Sequence, residues 1–498
     1  MKNRTLIPVL LLTQLLIAAS VSACGGSTAA EGTVTTDTAE QIPQQTAAET
    51  EAAYSGLEVV DGGGAAFRVL TSETDGYSRL LDDISAEAMN GEILNDKIFE
   101  RNRMIQEKYN VVFEIEVGSP NPTELTQKFI QAGEDAFEMV LGRTADNISM
   151  SAKQYFYDLA VFPNIDLSAS WWNRTIMEDM SIYDRYYVGI NDMTTQAYYA
   201  AGAIYYSKAL AAQYDMEDPY ALVRSGDWTF DKMTELCRNV SRDLNGNGQY
   251  DEKDQYGITY NNFAWQLMFY GIGETFIKKD TDGTLYLDQE NEKIINYLQK
   301  MLPSSQDQSV TLYSENYRHL GGNYRIDLCK DAFLENRALF WLEALYGTPA
   351  LRNMETDFGL LPMPKYDAAQ EQYYSFIHYN HSSSLVIPVT VPESRHDLVG
   401  RVAEDMAWLS SKTVRPAFIE ATLKGKYSRD NESADMIDYI INGIRMDYAL
   451  LLNAAGLDLD AKMRTAMDQG STDIASIYTR NEKKWNAILE KYCGEFFE

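Results

Sequence analysis

Apolar and polar positions between residues 66 and 141 switch between two periods, which is typical of strands alternating with helices. Apolar residues cluster at 66–70, and they alternate with other positions at 111–117, so both stretches predict strands. Residues 92–109 repeat apolar side chains at helical spacing, and 122–132 predict a second helix before an apolar strand at 137–141. This order of elements predicts parallel strands joined by right-handed crossovers.

The remainder of the chain continues this pattern with longer helical stretches. Extended segments are predicted at 187–190, 200–206, 358–364 and 384–388. Helices are predicted at 208–214, 219–224, 231–240, 291–301 and 329–335, and the chain is mostly helical from residue 396 onward. The predicted fold class is therefore α/β, with each sheet flanked by helices.

Positions just after the predicted parallel strands are candidates for ligand contacts. In open α/β sheets, ligands bind beyond the carboxyl ends of the strands. Gly142, Arg143 and Thr144 follow the strand predicted at 137–141. Arg143 is the charged member of this group, and we predict that it makes a polar contact with a ligand.

An oxygen-rich loop follows the helix predicted at 231–240, and its residue types match an EF-hand-type calcium loop. Gly248 stands where such a loop reverses, and Ca²⁺ takes about six to eight oxygen ligands. The predicted ligands of one structural Ca²⁺ are Asp243, Asn245, Asn247, the backbone carbonyl of Gln249, Asp251 and Asp254. The alternative is a surface loop that binds no ion, because Asn, Asp and Gly also favour plain turns.

The N-terminal residues 1–23 predict a lipoprotein signal peptide. A positively charged start precedes an apolar run at 6–17, which is too short and too interrupted to span a bilayer. Small residues then precede Cys24, as in a bacterial lipobox, so we predict that Cys24 is lipidated in the mature chain. Residues 24–56 nearly lack large apolar side chains and predict a flexible tether.

Net charge and the absence of catalytic motifs exclude several classes of function. The net charge of −30 argues against nucleic acid or anionic lipid as a partner, because a phosphate backbone would be repelled. The sequence carries no G-x-S-x-G, H-E-x-x-H or P-loop motif. His378 and His381 could share a metal, but FIHYNHSSS offers no third ligand, which favours a polar loop.

Three cysteines remain beside the predicted lipidation site: Cys237, Cys329 and Cys493. They are far apart in the sequence, and three thiols cannot all pair. Buried free thiols are the favoured interpretation, with one disulfide as the alternative.

The order of several segments resembles family 1 of the extracellular solute-binding proteins, the carbohydrate-type binding lipoproteins of ABC importers. The segments are the lipobox, KALAAQYDMEDPYALVRSGDWTFDKMTEL, DLNGNGQYDEKDQYG, DAFLENRALFW, and FGLLPMPKYD followed by SLVIP. One departure is Asn336-Arg337, where the family usually has a glycine in the equivalent turn.

The resemblance implies a two-lobed fold with the ligand between the lobes. By analogy, residues 57–193 with 381–420 form lobe 1, and residues 194–380 with 421–498 form lobe 2. It also implies a monomeric, non-catalytic receptor at the extracellular face of a bacterial membrane, which presents a carbohydrate to ABC permease subunits. The alternatives are a membrane-anchored glycoside hydrolase and a carbohydrate-adhesion protein.

Aromatic residues make up 12% of the chain, which is enough for both a large core and an aromatic-lined cleft. Sugar rings stack their C–H faces on Trp and Tyr, while their hydroxyl groups need polar side chains. The predicted ligand-binding residues are Arg143, Asn191, Asp192, Trp265, Tyr270, Trp341, Glu343 and Tyr346. For each single aromatic residue, packing in the core is the competing interpretation. Trp171 and Trp172 are assigned to structure.

Overall fold

The computed structural model describes residues 55–73, 80–118, 122–423 and 431–496. These residues belong to one compact unit that starts at Thr50. The signal peptide, Cys24 and most of the predicted tether lie outside the described residues, so these assignments stay predictions.

Thirteen strands are present in the described part of the chain. They are β1 (Ala65–Thr71), β2 (Val111–Val117), β3 (Met139–Arg143), β4 (Gly202–Ser207), β5 (Tyr256–Tyr260), β6 (Ile277–Lys279), β7 (Leu285–Leu287), β8 (Thr311–Tyr313), β9 (Ala338–Ala344), β10 (Phe358–Leu361), β11 (Ser375–Phe376), β12 (Ser383–Val386) and β13 (Ile444–Arg445).

The α-helices surround these strands, and short 3₁₀ turns such as Leu80–Asp83 and Leu345–Leu351 connect several elements. They are α1 (Ile93–Tyr109), α2 (Pro122–Ala132), α3 (Thr144–Ser151), α4 (Arg174–Met180), α5 (Thr195–Tyr199), α6 (Lys208–Gln213), α7 (Pro219–Ser225), α8 (Phe230–Val240), α9 (Ala264–Tyr270), α10 (Glu292–Ser304), α11 (Tyr324–Leu334), α12 (His396–Lys412), α13 (Val414–Leu423), α14 (Asn431–Asn442), α15 (Tyr448–Leu451), α16 (Leu459–Gln469) and α17 (Ile474–Gly494).

Two mixed sheets organise the two lobes. The first sheet has the order β12-β3-β1-β2, in which β1 is parallel to both β2 and β3 and β12 is antiparallel to β3. The second sheet has the order β10-β4-β9-β5-β8, in which β9, β5 and β8 are parallel. The predicted α/β class and the parallel pairing in the first sheet are confirmed.

Each sheet packs its apolar side chains against helices. Phe67 and Val69 of β1 lie in one buried cluster with Val402 and Met406 of α12. The second sheet contributes to a larger cluster that also includes the apolar side chains of α10, α16 and α17. β2 is an edge strand, and only Val111 among its residues is fully buried, which agrees with its alternating sequence.

Two connecting segments carry the chain between the sheets. The first crossing segment, residues 191–201, leads into β4, and the second crossing segment, residues 377–382, leads into β12. They meet where Ala201 bridges Ile377 and where the amide of His378 donates to the carbonyl of Ala200 at 2.9 Å. The lobe boundaries predicted at single residues stay a prediction.

Several local predictions needed correction. The third strand begins two residues later than predicted and runs through Gly142 and Arg143, because β12 pairs with these residues. Residues 187–190 form no strand and make only a single bridge, between Gly189 and Leu385. α11 begins at Tyr324, five residues before the predicted start, and lies beside β9.

Asn336 occupies the turn where the family resemblance leads one to expect glycine. Its φ of 55° lies in the left-handed region, which Asn tolerates better than most non-glycine residues. The side-chain oxygen accepts hydrogen bonds from the hydroxyls of Ser207 at 2.9 Å and Thr356 at 2.8 Å. Two hydrogen bonds thus compensate for the conformational cost of a side chain at this position.

All three cysteines of the folded body are free and buried. The prediction of buried free thiols is therefore confirmed.

Candidate ligand-binding cleft

A cleft of about 680 Å³ lies at the carboxyl ends of the parallel strands β5 and β9. Both crossing segments contribute to its wall, through Gln196 and Tyr199 from the first and His378 and His381 from the second. The start of α9 and the first turns of α11 complete it. Ligands bind at the carboxyl ends of parallel strands, so the candidate ligand site belongs to the second sheet.

Aromatic and imidazole rings form one wall of the cleft. The ring centroids of His378 and His381 are 4.3 Å apart, and Tyr346 meets His381 edge to face at 5.8 Å. Phe263 lies beside His378, with a centroid distance of 6.2 Å, and stacks against the guanidinium of Arg464. Burial lowers the pKa of His378 to about 3, with smaller contributions from His381 and Arg464, so this imidazole is neutral at physiological pH.

Glu343 lines the cleft near the end of β9. Its carboxylate accepts a hydrogen bond from the backbone amide of Ala344 at 3.0 Å and one from the Tyr346 hydroxyl. Burial raises its pKa to about 7, and these hydrogen bonds only partly oppose that shift. The carboxyl group is therefore close to half-ionised at neutral pH.

Two cationic side chains also line the cleft, and each is paired with a carboxylate. Arg325 is 41% exposed and contacts Glu315 at 2.8 Å, and Lys330 contacts Asp327 at 2.8 Å. Their charges are thus compensated within α11 and the turn that precedes it.

A second cavity of about 780 Å³ adjoins the cleft and shares Gln196 and Tyr199 with it. Most of its other lining comes from lobe 1, chiefly from the first turns of α1 and the segment that precedes them, and Arg352 and Ala421 complete it. The two cavities together place groups from both lobes around the first crossing segment.

Asp83 links the first crossing segment to the start of β12, the strand into which the second crossing segment leads. One of its carboxylate oxygens accepts from the hydroxyl of Thr195 at 2.7 Å and from the amide of Gln196 at 3.0 Å. The other oxygen accepts from the hydroxyl of Ser383. Burial raises the pKa of Asp83 to about 7, although these hydrogen bonds and the nearby charge of Arg101 oppose the shift.

The structure brings three of the predicted ligand-binding residues together in the cleft: Trp341, Glu343 and Tyr346. Trp341 exposes only 2% of its surface, because its indole packs against Tyr205 and Phe333 at centroid distances of 5.0 and 5.7 Å. Whether these three residues contact a ligand stays a prediction.

The other predicted ligand-binding residues lie outside the cleft lining. Trp265 is fully buried, and its indole nitrogen donates to Asp460 at 2.9 Å. Tyr270 is also fully buried, stacks on Phe376 and donates to Asp447. Neither ring is accessible to a ligand in this conformation, so their core role is the one that the structure favours.

Two of the three polar candidates from lobe 1, Asn191 and Asp192, serve the fold around the first crossing segment. Asn191 is buried and accepts from the amide of Met193 at 2.9 Å. Asp192 is buried, accepts from the hydroxyl of Tyr198 at 2.7 Å and pairs with Arg415. Arg143 ends β3 and lies outside the described lining of the cleft.

Sequence reasoning missed several residues that line the cleft: Gln196, Tyr199, Phe263, Gln266, Arg325 and the pair His378 and His381. They come from four separate regions of the chain, and only the fold brings them together. The predicted crossover regions could have indicated some of these residues, because a connection between lobes must pass beside an interlobe cleft.

The predicted calcium loop has the geometry of successive Asx turns. The carboxylate of Asp243 accepts from the amides of Gly246 and Gly248 at 2.7 and 2.8 Å, and that of Asp254 accepts from the amides of Leu244 and Asp251. The side-chain amides of Asn245 and Asn247 both donate to Asp251. The three carboxylates of the predicted set thus form hydrogen bonds within the loop, and the calcium assignment stays a prediction.

No group of three or more His, Cys, Asp or Glu side chains in the described ranges has an arrangement that could hold a metal ion. Among the helices that the structure describes, none is long and apolar enough to cross a membrane.

Comparison with known proteins places the fold. No protein-family model matches the sequence, and no curated relative does either. Among solved structures, UgpB from Mycobacterium tuberculosis in complex with glycerophosphocholine is 15% identical, with a TM-score of 0.52 over 79% of this chain and 95% of that chain. An ABC substrate-binding protein from Listeria monocytogenes in complex with cycloalternan is 11% identical, with a TM-score of 0.51 over 86% of this chain and 99% of that chain.

A third structure with the same fold is described as a member of a protein family. The family 1 extracellular solute-binding protein from Bifidobacterium longum subsp. infantis is 12% identical, with a TM-score of 0.51 over 84% of this chain and 100% of that chain. These identities are low, and the likeness therefore concerns the arrangement of the chain in space. The chain has the two-lobed α/β fold of the family 1 extracellular solute-binding proteins.

Proposed function

We propose that this protein is an extracellular receptor that captures a carbohydrate, in particular an oligosaccharide, and presents it to an ABC importer without transforming it. The observation that carries the proposal is the cleft at the carboxyl ends of β5 and β9, which both crossing segments enter. The fold supports it, because structures with this fold include a cycloalternan complex and a family 1 solute-binding protein.

The lining of the cleft suits a sugar. Tyr346 and Phe263 present partly exposed rings for C–H faces, and Gln196, Gln266 and Glu343 present hydrogen-bonding groups at different points of the wall. The adjoining cavity of about 780 Å³ shares Gln196 and Tyr199 with the cleft, so a ligand that reached both would be longer than one ring.

The crossing segments provide a route from ligand binding to closure. A ligand drives closure only if it binds the closed state more tightly than the open state. Gln196 lines both cavities, and its backbone amide donates to Asp83 of lobe 1 at 3.0 Å. A ligand held at Gln196 therefore contacts the segment about which the lobes would move.

Calorimetry with a panel of neutral oligosaccharides of two to five rings tests the function. We expect at least one to bind, and Tyr346→Ala to weaken it by about tenfold, which corresponds to about 1.4 kcal/mol. Tyr286→Ala removes a 45% exposed ring on β7, outside the cleft lining, and is the matched control. Release of shortened sugars during incubation would contradict a receptor and favour the hydrolase.

Anchoring through Cys24 is the second part of the proposal, and it rests on the lipobox sequence. Cys24→Ala is expected to release or mislocalise the protein while its melting temperature stays unchanged. Membrane retention of that variant after leader cleavage would contradict the anchor. The permease partners are proposed from the fold alone.

A further inference from the structure

Glu343 differs from the other charged groups of the cleft in having no opposite charge beside it. Arg325 and Lys330 each contact a carboxylate, and Arg464 behind Phe263 pairs with Asp460. Among the described residues, no Lys, Arg or His side chain lies within ion-pair distance of Glu343, and it is the one carboxylate in the described lining. The described lining of the cleft therefore carries one acidic group with no opposite charge beside it.

The surroundings of Glu343 favour a cation over a second anion. Tyr346 donates its hydroxyl to the carboxylate and lies at the same end of the cleft, and ring faces attract cations when water is excluded. The protein's net charge of −30 also favours the approach of cationic ligands. A largely desolvated carboxylate with no opposite charge beside it is costly to ionise, and an incoming cation would lower that cost.

We propose that the natural ligand carries an ammonium group, as an amino sugar does, and that this group binds to the Glu343 carboxylate beside Tyr346. This inference rests on the proposed function, because it assigns a ligand class to the same cleft. Glu343 would then select amine-bearing sugars over neutral sugars of the same skeleton.

Proton release gives the proposal a distinctive signature. At pH 6.0 the carboxyl of free Glu343 is mostly protonated, since burial raises its pKa to about 7. An ammonium group stabilises the carboxylate, so binding converts the acid to the carboxylate and releases its proton to the buffer. The titratable and charged groups around it are Tyr346 on the turn after β9, Tyr205 on β4, Cys329, Arg325 and Lys330 on α11, and His381 on the second crossing segment.

The experiment compares three β-1,4-linked trisaccharides at pH 6.0: one of glucosamine, one of N-acetylglucosamine and one of glucose. We expect the amine form to bind the native protein at least tenfold more tightly than either neutral form. Calorimetry in two buffers of different ionisation enthalpy should show a proton released on binding of the amine form. Glu343→Gln should abolish both the preference and the proton release, whereas Glu355→Gln, on an exposed residue outside the cleft lining, should change neither.

Each remaining outcome has a definite meaning. Equal or tighter binding of the neutral forms would overturn this inference and leave the proposed function standing. If none of the three binds while another neutral oligosaccharide does, unchanged affinity in Glu343→Gln would also overturn it. If neither the three trisaccharides nor any of the neutral oligosaccharides binds, both the proposed function and this inference are overturned. Intact melting of Glu343→Gln confirms that the variant is folded.

Discussion

Trp341 lies at the boundary between the cleft and the core of lobe 2. It lines the cleft, yet Tyr205 and Phe333 cover most of its indole, and only 2% of its surface is exposed. A residue placed in this way contributes mainly to packing, and any ligand would meet only the edge of the ring.

Trp341→Ala is therefore expected to lower the free energy of unfolding by about 3–5 kcal/mol, as for other large-to-small core substitutions. Urea unfolding followed by circular dichroism measures this change. Tyr346→Ala removes a partly exposed ring and should cost much less stability. Native stability in Trp341→Ala together with weakened sugar binding would show that the indole serves the ligand instead.

Among single elements, the segment from α8 through the Asx-turn loop to β5 is the one whose sequence carries most local information. α8 begins after Thr229, whose hydroxyl accepts from the amide of Lys232 at 3.2 Å, as its sequence predicts. Five apolar residues on one face of α8 are buried. The calcium assignment of the loop is local as well, and it stays a prediction.

We expect millimolar Ca²⁺ to raise the melting temperature relative to chelator, because an ion that binds only the native state stabilises it by mass action. Asp251→Ala should remove the response, since both Asn245 and Asn247 converge on its carboxylate. Asp282→Ala changes a similar exposed turn between β6 and β7 and should leave the response intact. Coincident melting curves in calcium and chelator would contradict the site.

Elements with strong local patterns were predictable, and elements defined by pairing were not. The bounds of β2 and α2 agree with the sequence pattern because alternation, helical spacing and a proline at the helix start mark them. The end of β3 depends on β12, which is more than 200 residues away in the chain. No local signal could place it.

The cleft was less predictable than the sheets for a related reason. Trp341, Glu343 and Tyr346 lie together because they surround the end of a single strand, β9. Tryptophan is a residue type on which sugar rings stack, and Trp265 fits that description by sequence. In the structure its indole nitrogen donates a hydrogen bond to Asp460, far along the chain, within the core. Whether an aromatic side chain is covered depends on distant segments, which the sequence alone does not position.

On the scale of the whole molecule, several buried carboxyl groups couple stability to pH. Burial raises the pKa of Asp83, Glu343 and Glu404 to about 7 and that of Asp447 to about 6. Such groups are protonated in the folded chain at a pH where the unfolded chain has lost the protons. Their contribution to stability is therefore fully present below the unfolded pKa and is lost as pH rises through the folded pKa.

The melting temperature is accordingly expected to fall by a few degrees between about pH 5 and pH 8 at constant ionic strength. Repulsion within a chain of net charge −30 acts in the same direction. Asp83→Asn removes one titrating group and should reduce the slope. A melting temperature that rises over this range would show that the ionised forms are the stabilising ones.

The three buried thiols allow transient local opening of the native chain to be measured without introducing a label. A thiol reacts as its thiolate, and burial raises the pKa of Cys237, of Cys329 to about 12, and of Cys493. An alkylating reagent therefore reacts with each thiol only after local opening has exposed that thiol to water. The thiols belong to α8, α11 and α17, so three alkylation rates, read peptide by peptide, would rank the opening of three regions in one sample. Cys493, in the last helix, is expected to react first, because chain ends open at the lowest cost in free energy.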